Sequence, residues 1–206
     1  MLKIYKELLN KYGKQGWWPL WNSKKNKFEY YSGKPKNSSQ ILEICLGAIL
    51  TQNTNWKNVE KALANLIKNN LININKLDKI PQNKLALLIK SSGYYKQKAK
   101  KIKNFIKFLK SKKQITRENL LEVWGIGKET ADSILLYAYN KPYFVIDSYT
   151  KRFFSKLNYC KENINYEELQ NLITKNLPKD VNLYKEFHAL IVQHSKINFR
   201  KYEITP

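Results

Sequence analysis

The chain has 206 residues, which is enough for one ordinary domain or for two small lobes that share a cleft. Hydrophobic residues make up 43% of it and aromatic residues 13%, so it can build a hydrophobic core, and wholesale disorder is excluded. Lys and Arg number 38 against 16 Asp and Glu; the net charge of +22 favours a polyanionic partner, nucleic acid before an anionic membrane surface.

Apolar residues recur at helical spacing along most of the chain, whereas the alternation typical of strands is nearly absent. Residues 1–10 predict the start of an amphipathic helix, and residues 22–39 predict a polar, Lys-rich mobile loop. Pro81 is placed to begin a helix, and Thr116 to cap another that runs through Val123. The apolar stripes of the remaining helices lie at residues 42–49, 59–67, 85–89, 99–109, 131–138, 169–173 and 184–191. We therefore expect an all-α protein of about nine or ten helices.

Several kinds of protein are disfavoured by the same sequence. The longest mainly apolar run, residues 41–50, is far shorter than the ~20 residues of a bilayer-spanning helix, so we expect no membrane partner. Residues 1–10 carry no apolar signal-peptide core, which predicts a cytoplasmic protein that associates with the nucleoid through DNA. Cys45 and Cys160 are too few for a four-thiolate zinc or iron–sulfur site, and Cys45 is most simply a core residue. We expect no metal and no other cofactor.

Residues 120–131, LLEVWGIGKETA, carry the clearest functional motif. One helix ends, two glycines flank one apolar residue, and a second helix starts at once. The glycines permit a tight turn and a close approach of the backbone to a partner. Free N–H groups and the dipole at the start of the second helix favour an anion, as in a helix–hairpin–helix that grips a DNA phosphate. An ordinary helix–helix turn is the alternative. The candidate DNA-binding residues here are Gly125, Ile126, Gly127, Lys128 and Thr130.

Residues 144–152, FVIDSYTKR, supply a candidate catalytic carboxylate. Three apolar residues lead to Asp147, and Ser148 and Thr150 follow it where a helix can start. The apolar approach predicts a partly dry site, in which the carboxylate could stabilise a cationic transition state or activate water. The alternative is structural, because an Asp just before a helix is often an N-cap.

Together with two further segments, these motifs resemble the endonuclease III superfamily of helix–hairpin–helix DNA glycosylases. The further segments are GYYKQKA at residues 93–99 and LTQNT at residues 50–54, and the resemblance extends over roughly residues 1–200. It implies a two-lobed helical fold with the active site in a cleft between the lobes. It also implies double-stranded DNA with a damaged base as partner, Asp147 as the catalytic residue, and Gln52 beside the gap left by the extruded base.

The resemblance further implies how the chain is divided. Residues 1–206 are expected to form one compact glycosylase unit that acts as a monomer. Residues 28–140 are expected to form a central lobe that contains the hairpin. Residues 1–27 together with residues 141–206 are expected to form the second lobe.

Within the superfamily, WWP at residues 17–19 and LGAILTQNT at residues 46–54 are most similar to the 3-methyladenine DNA glycosylase III type, which lacks an iron–sulfur cluster. The residues that match the base pocket of this type are Trp17, Trp18, Pro19, Leu42 and Lys196. Where that branch has an aromatic pocket residue, this chain has Leu42, so a stacking surface is lost. The alternative interpretations are core packing for the two tryptophans and a solvated surface position for the lysine.

A second departure concerns the nucleophile. In bifunctional members a lysine at the position of Glu129 attacks the sugar and forms a Schiff base, which a glutamate cannot do. Lys128 is one residue earlier and therefore about 100° away around the helix. We expect water as the nucleophile and a monofunctional base-excision glycosylase for alkylated purines such as 3-methyladenine. The alternatives are a glycosylase of the same fold for uracil or 8-oxoguanine, a non-catalytic DNA-binding helix–hairpin–helix protein, and an RNA-binding protein.

Overall fold

The computed structural model describes residues 1–31 and 33–198. Within them the chain forms eleven α-helices, and 62% of the structure is helical, so the prediction of an all-α fold is confirmed. In chain order the helices are α1 (Leu2–Tyr12), α2 (Ser38–Leu50), α3 (Trp56–Lys68), α4 (Ile74–Lys79), α5 (Gln82–Leu88), α6 (Tyr95–Lys110), α7 (Arg117–Leu121), α8 (Lys128–Ser133), α9 (Ser148–Lys156), α10 (Tyr166–Lys175) and α11 (Val181–Asn198). A 3-10 turn lies at Lys90–Ser92, and a π-helical turn at Ile134–Ala138 continues α8. None of the described helices is both long and apolar enough to cross a bilayer.

Two short strands break the all-helical pattern. Strands β1 (Leu20–Asn22) and β2 (Lys27–Glu29) form an antiparallel pair in which Trp21 lies opposite Phe28, and the two rings pack with 5.1 Å between their centroids. The pair falls partly within residues 22–39, for which the sequence predicts only a loop. Strands of three residues are too short to show an alternating pattern, which is why the sequence does not indicate them.

Side-chain caps fix where many of the helices begin. Thr116 caps α7 as predicted, since its hydroxyl accepts a hydrogen bond from a backbone N–H three residues further on, at 3.2 Å. This helix ends at Leu121 rather than Val123, because the Val123 N–H turns back onto a carbonyl three residues earlier. Pro81 directly precedes the first residue of α5, so the predicted helix start is confirmed. Asparagine side chains also accept a backbone hydrogen bond at the start of four further helices, from the N–H three residues on for Asn37, Asn55 and Asn73 and two residues on for Asn165.

Helix α2 runs through the middle of the core. Its residues from Leu42 to Leu50 are all buried, which confirms Cys45 as a core residue, and the helix contacts α3, α6 and the π-helical turn. The same turn is also contacted by α11, which packs against α1 and α9. The π-helical turn therefore lies where these two sets of helices meet, and all of its residues are buried. The proposed lobe boundaries stay a prediction.

A buried lysine gives one of the motif segments a structural role. Lys98, in the segment GYYKQKA, is 2% exposed, and its ammonium donates to the carbonyls of Leu50 at 2.8 Å and Ser92 at 2.6 Å. These carbonyls belong to the ends of α2 and of the 3-10 turn, so the lysine ties both to α6. Burial, with Lys101 nearby, lowers the pKa of Lys98 to about 8.

Candidate active site and nucleic-acid interface

A cavity of about 170 Å³ lies beside the π-helical turn. It is bounded by the segment after α1, the junction of α2 and α3, the start of α8, the start of α9, and α11. The side chains that give this cavity its chemical character are Trp17, Trp18, Trp56, Glu129, Tyr137, Asp147, His188 and Lys196. Residues that lie far apart in the sequence therefore meet around Asp147.

Asp147 uses its two carboxylate oxygens differently. Oδ1 caps α9 by accepting hydrogen bonds from the N–H of Thr150 at 2.7 Å and from its hydroxyl at 2.8 Å. Oδ2 lies 3.4 Å from Nε2 of His188. Burial by itself raises the pKa of Asp147, but His188 and the Thr150 hydrogen bonds outweigh it and hold the pKa below its usual value. Asp147 is therefore a carboxylate at neutral pH, and its helix-cap role is real.

His188 connects Asp147 to Tyr137. The Tyr137 hydroxyl lies 2.8 Å from Nδ1 of His188, on the opposite side of the imidazole from Asp147. Tyr137 is 2% exposed, and burial raises its pKa well above the usual value, so its hydroxyl stays protonated. The three residues form a continuous chain of polar groups from the π-helical turn through α11 to the start of α9.

Glu129 brings a second carboxylate to the cavity. It lies in the first turn of α8, and its pKa is raised to about 7, first by burial and then by the nearby charge of Asp147, with His188 opposing the shift. Glu129 is nevertheless an exposed residue, so water screens much of this effect. Its carboxyl group therefore takes up a proton at a higher pH than an ordinary glutamate does.

An aromatic wall forms one side of the cavity. The ring centroids are 4.8 Å apart for Trp17 and Trp56, 5.1 Å for Trp18 and Trp56, and 5.2 Å for Trp18 and Tyr137. Trp18 is 8% exposed and lies against Gly47 of α2, where a Cβ would come within 2.9 Å of the indole. A larger residue at position 47 would displace the ring. Both tryptophans thus pack against the core and also line the cavity, while their predicted role in binding a base stays a prediction.

Three of the five predicted pocket residues line the cavity: Trp17, Trp18 and Lys196. Pro19 is buried on the way into β1 and is not among the lining residues. The placement of Leu42 in the pocket is wrong. Leu42 is 3% exposed and borders a separate depression beside α4. The reason is helical phase, because Ala48 of α2 lines the cavity and a residue six positions earlier points to another side of the helix.

The predicted DNA-binding residues lie together in an open surface depression next to the cavity. The depression is lined by Gln52, Asn53, Lys101, Gly125, Ile126, Gly127, Lys128, Glu129, Thr130 and Tyr166, a set that contains all six predicted residues. Glu129 and Thr130 line both the depression and the cavity. The start of α8 is therefore the partition between the two.

Gln52 connects the end of α2 to the hairpin. Its amide N–H group donates to the Gly125 carbonyl at 3.2 Å and to the Thr130 hydroxyl at 3.0 Å, and the Lys101 ammonium donates to its Oε1. Hydrogen bonds at both ends of the amide fix the side chain beside the partition. Its predicted place beside the gap left by an extruded base stays a prediction.

The two hairpin glycines serve different needs. Gly125 has a φ of +91°, and a Cβ there would collide with the side chain of Lys101. At Gly127 a Cβ would meet nothing within 4 Å, which leaves the first turn of α8 open to a partner. Lys128, the next residue, is ion-paired with Glu167 at 2.6 Å. The first N–H groups of any helix lack helical acceptors, so they are available at this open end.

Comparison with known families decides what kind of protein carries this site. Residues 46–179 match the family described as the HhH-GPD superfamily base excision DNA repair protein, a span that includes Gln52, the hairpin and Asp147. The chain belongs to this family. The HhH-GPD chain is thus of the base-excision DNA glycosylase type, and DNA is the polyanionic partner that its charge predicted.

Individual relatives agree with this assignment. A protein of Methanocaldococcus jannaschii, whose name calls it a candidate DNA repair glycosylase, is 44% identical over 212 residues, which cover 97% of the HhH-GPD chain and 88% of the relative. The structure of an H. pylori 3-methyladenine DNA glycosylase bound to 1,N6-ethenoadenine is 30% identical, with a TM-score of 0.73 and coverage of 95% and 96%. A trapped endonuclease III–DNA complex has a TM-score of 0.76 and coverage of 100% and 88%, but at 17% identity the likeness is one of fold. The predicted resemblance to the endonuclease III superfamily is confirmed.

The sequence motifs of the HhH-GPD chain do not single out Trp56, Tyr137 or His188. His188 lies in the apolar stripe of α11, where a core histidine is the simplest interpretation. One feature of the sequence could have drawn attention to His188: the chain has only two histidines, and both lie on that helix. Trp56 follows the LTQNT segment closely, at the first position of α3, and could have been associated with it.

Proposed function

We propose that this HhH-GPD protein is a monofunctional DNA glycosylase that removes alkylated purines such as 3-methyladenine from double-stranded DNA. The observation that carries the proposal is one cavity that combines an aromatic wall with the carboxylates of Asp147 and Glu129. A purine nucleotide alkylated at N3, as in 3-methyladenine, is cationic, so aromatic faces attract it through cation–π interaction, worth ~0.5–2 kcal/mol. The two carboxyl groups favour a cation in the same space, and the 30% identical H. pylori relative is a 3-methyladenine glycosylase.

The proposed reaction is hydrolysis of the N-glycosidic bond. The damaged nucleotide is extruded from the duplex, and its base enters the aromatic cavity. The bond to the sugar breaks with its electron pair going to the purine, which leaves as a neutral base, while the sugar becomes oxocarbenium-like. The ionised Asp147 stabilises this positive charge, helps to position the water that adds to the sugar, and accepts the proton that the water loses. A cationic purine is a good leaving group, so the reaction needs little general-acid assistance.

Glu129 supports the monofunctional part of the proposal. It lies in the cavity beside Asp147, where an amine could form a Schiff base and a carboxyl group cannot. Lys128 is held in an ion pair with Glu167 on the depression side of α8. Lys196 lines the cavity and is the amine that an experiment must address.

The open depression is proposed to hold a DNA phosphate on the strand that carries the damaged base. The first N–H groups of α8 and the ammonium of Lys128 supply favourable partners for an anion there. Gln52 would lie next to the space that the extruded base leaves. We further propose that the protein acts as a monomer, with residues 28–140 on one side of the cleft and both ends of the chain on the other.

Base release from a panel of duplexes tests this proposal. The panel consists of DNA treated with dimethyl sulfate and of duplexes that carry 1,N6-ethenoadenine, uracil or 8-oxoguanine. We expect release of 3-methyladenine, with the abasic strand intact until alkali or heat is applied. Preferential release of uracil or 8-oxoguanine would overturn the substrate assignment. Binding without release from any duplex would favour the non-catalytic alternative.

Borohydride treatment during the reaction tests the monofunctional assignment separately. A Schiff base between a lysine and the sugar is reduced to a stable protein–DNA adduct, whereas hydrolysis leaves nothing to reduce. We expect no adduct from the wild type. Efficient trapping would show that a lysine attacks the sugar, and loss of trapping in Lys196→Ala would identify that lysine.

A further inference from the structure

The imidazole of His188 lies between Tyr137 and Asp147. Nδ1 is 2.8 Å from the Tyr137 hydroxyl, while Nε2 is 3.4 Å from Oδ2 of Asp147. Nε2 is buried and makes no hydrogen bond within the described part of the chain, although Oδ2 of Asp147 lies 3.4 Å away. Catalytic hydrogen bonds are often long or poorly aligned before the substrate binds, so a small adjustment is enough to form this one.

The hydroxyl of Tyr137 determines which nitrogen of His188 carries the hydrogen. The hydroxyl has one hydrogen and two acceptors within reach, Nδ1 of His188 at 2.8 Å and the carbonyl of Lys185 at 3.3 Å. We assign the hydrogen to the shorter contact, because hydroxyl hydrogen bonds weaken beyond about 3.0 Å. Nδ1 then accepts, and in the neutral ring Nε2 carries the hydrogen that faces Asp147.

We propose that His188 is the positioning residue of the active site: held by Tyr137, it presents Nε2–H to Oδ2 of Asp147 and fixes that carboxylate for the chemical step. Thr150 already holds Oδ1 through two hydrogen bonds, so His188 completes the restraint on the second oxygen. This inference rests on the proposed catalytic role of Asp147. It assigns His188 no contact with the sugar or the base.

His188 is expected to change the pKa of Asp147 in a defined direction. Besides His188, the titratable groups that share the cavity with Asp147 are Glu129 from α8, Tyr137 from the π-helical turn, Tyr149 from α9 and Lys196 from α11. Burial raises the pKa of Asp147, whereas His188 and Thr150 lower it. Without His188, the largest contribution that opposes burial is lost, so the pKa of Asp147 rises. Because Asp147 acts as a carboxylate, loss of excision at low pH then begins at a higher pH.

Two substitutions of His188 test the proposal by single-turnover release of 3-methyladenine from dimethyl sulfate-treated duplex. His188→Leu removes the Nε2 donor, and we expect a rate loss of about tenfold to a hundredfold, the scale of a misplaced catalytic group. His188→Gln can present an amide N–H at the same place and should recover most of the rate. Affinity for undamaged duplex should not change in either variant. A Gln variant as slow as the Leu variant would overturn the positioning role.

The second histidine of α11 provides a matched control. His194 also lies on α11, and its Nδ1 contacts the hydroxyl of Tyr12 at 3.0 Å, but it is not among the cavity residues. His194→Leu should therefore keep the wild-type excision rate, even if it loses some thermal stability. A rate loss in His194→Leu equal to that in His188→Leu would show that both act only through folding. If His188→Leu fails to fold, the single variant Tyr137→Phe takes its place in the comparison with His188→Gln.

The pH profile separates positioning from a general loss of structure. It is measured in a Glu129→Gln background, because Glu129 titrates in the same cavity. Adding His188→Leu should move the acid limb of the excision rate to higher pH. A rate that falls by the same factor at every pH would overturn the electrostatic role.

A spectroscopic measurement decides the question without any activity. In ¹⁵N-labelled protein the two histidines give separate imidazole signals, which His194→Leu assigns. We expect neutral His188 to carry its hydrogen on Nε2, and Tyr137→Phe to disturb that preference. A hydrogen on Nδ1 in the wild type would overturn the proposal. If the wild type releases no 3-methyladenine, the proposed substrate fails, and the tautomer still decides the case for His188.

Discussion

Asp147 caps α9 through Oδ1, and its Oδ2 lies within 3.4 Å of His188 at the cavity. At the level of sequence, a helix cap and a catalytic carboxylate are competing explanations of the segment FVIDSYTKR. In the structure the two oxygens of one carboxylate make different contacts, so the helix cap and the proposed catalytic role are compatible. The cap also fixes the carboxylate, because Thr150 holds Oδ1 with both its N–H and its hydroxyl.

Asp147→Asn tests the catalytic role. Asn caps helices about as well as Asp, so the variant should fold with nearly unchanged thermal stability. It lacks the negative charge, and removal of one preorganised electrostatic group typically costs ~10²–10³ in rate. We expect this loss in single-turnover base release, with affinity for lesion-containing duplex unchanged or slightly tighter.

The same substitution at another helix cap is the control. Asp180 accepts a hydrogen bond from the Leu183 N–H at 2.7 Å at the start of α11 and does not line the cavity. Asp180→Asn should therefore leave the rate of base release at its wild-type value. Near-wild-type single-turnover excision by Asp147→Asn would remove Asp147 from the chemical step.

Helices α7, α8 and α10 are joined by one buried carboxylate. Asp132 of α8 is fully buried and receives hydrogen bonds from Arg117 at 2.7 Å and from Tyr166 and Gln170 at 2.8 Å each. Gln170 also donates to the carbonyl of Phe144 at 2.7 Å, in the apolar segment that leads to Asp147. The hairpin and this segment are thus attached to the same cluster.

Asp132→Ala should be strongly destabilising. It removes the closer partner of Arg117 and leaves only the longer contact with Glu167, at 3.7 Å. Removing one partner of a buried ion pair typically costs ~3–5 kcal/mol, so we expect a loss of about that size. Chemical denaturation monitored by tryptophan fluorescence measures it. Asp78→Ala, which breaks the exposed pair with Lys110, is the matched control and should change stability little. Equal effects of the two variants would contradict the structural role of the cluster.

Most helices could be predicted because each buries one face and therefore repeats apolar residues at helical spacing. The hairpin glycines were also visible, since a tight turn between two helices demands them. The strand pair at Trp21 and Phe28 could not be predicted, because strands of three residues are too short to show an alternating pattern. Leu42 was misplaced because sequence resemblance fixes a position along α2 but not which side of the helix meets the cavity.

The cavity itself could be predicted only in part. Asp147, Trp17 and Trp18 lie in recognisable segments, and the structure brings them together with Lys196. The contact between Tyr137 and His188 joins residues 51 positions apart, and neither local segment indicates it. Such a pairing depends on how α11 packs against the π-helical turn, which apolar periodicity does not determine.

For the molecule as a whole, the net charge of +22 should act through phosphate contacts. Log affinity for duplex DNA is expected to fall linearly with log salt, by ~0.9 for each phosphate neutralised. Lys128→Ala should reduce this slope by about one, as for a single lost phosphate contact. Fluorescence anisotropy over a series of salt concentrations measures both.

Glu167→Gln provides the opposite change at the same place. It removes the carboxylate that pairs with Lys128 and would repel a phosphate, so duplex affinity should rise and the salt dependence should become steeper. A flat salt dependence in the wild type would contradict a phosphate-based interaction. Equal weakening by Lys128→Ala and Glu167→Gln would show that the ion pair itself, rather than the free ammonium, supports binding.

The partition formed by the start of α8 sets a fixed spacing within the molecule. Glu129 and Thr130 border the hairpin depression and the cavity at once, and the same helix continues into the turn that carries Tyr137. If a strand is held as we propose, with a phosphate in the depression and a base in the cavity, the backbone of this one helix sets the distance between the two. The separation of the two sites is then a property of α8 itself.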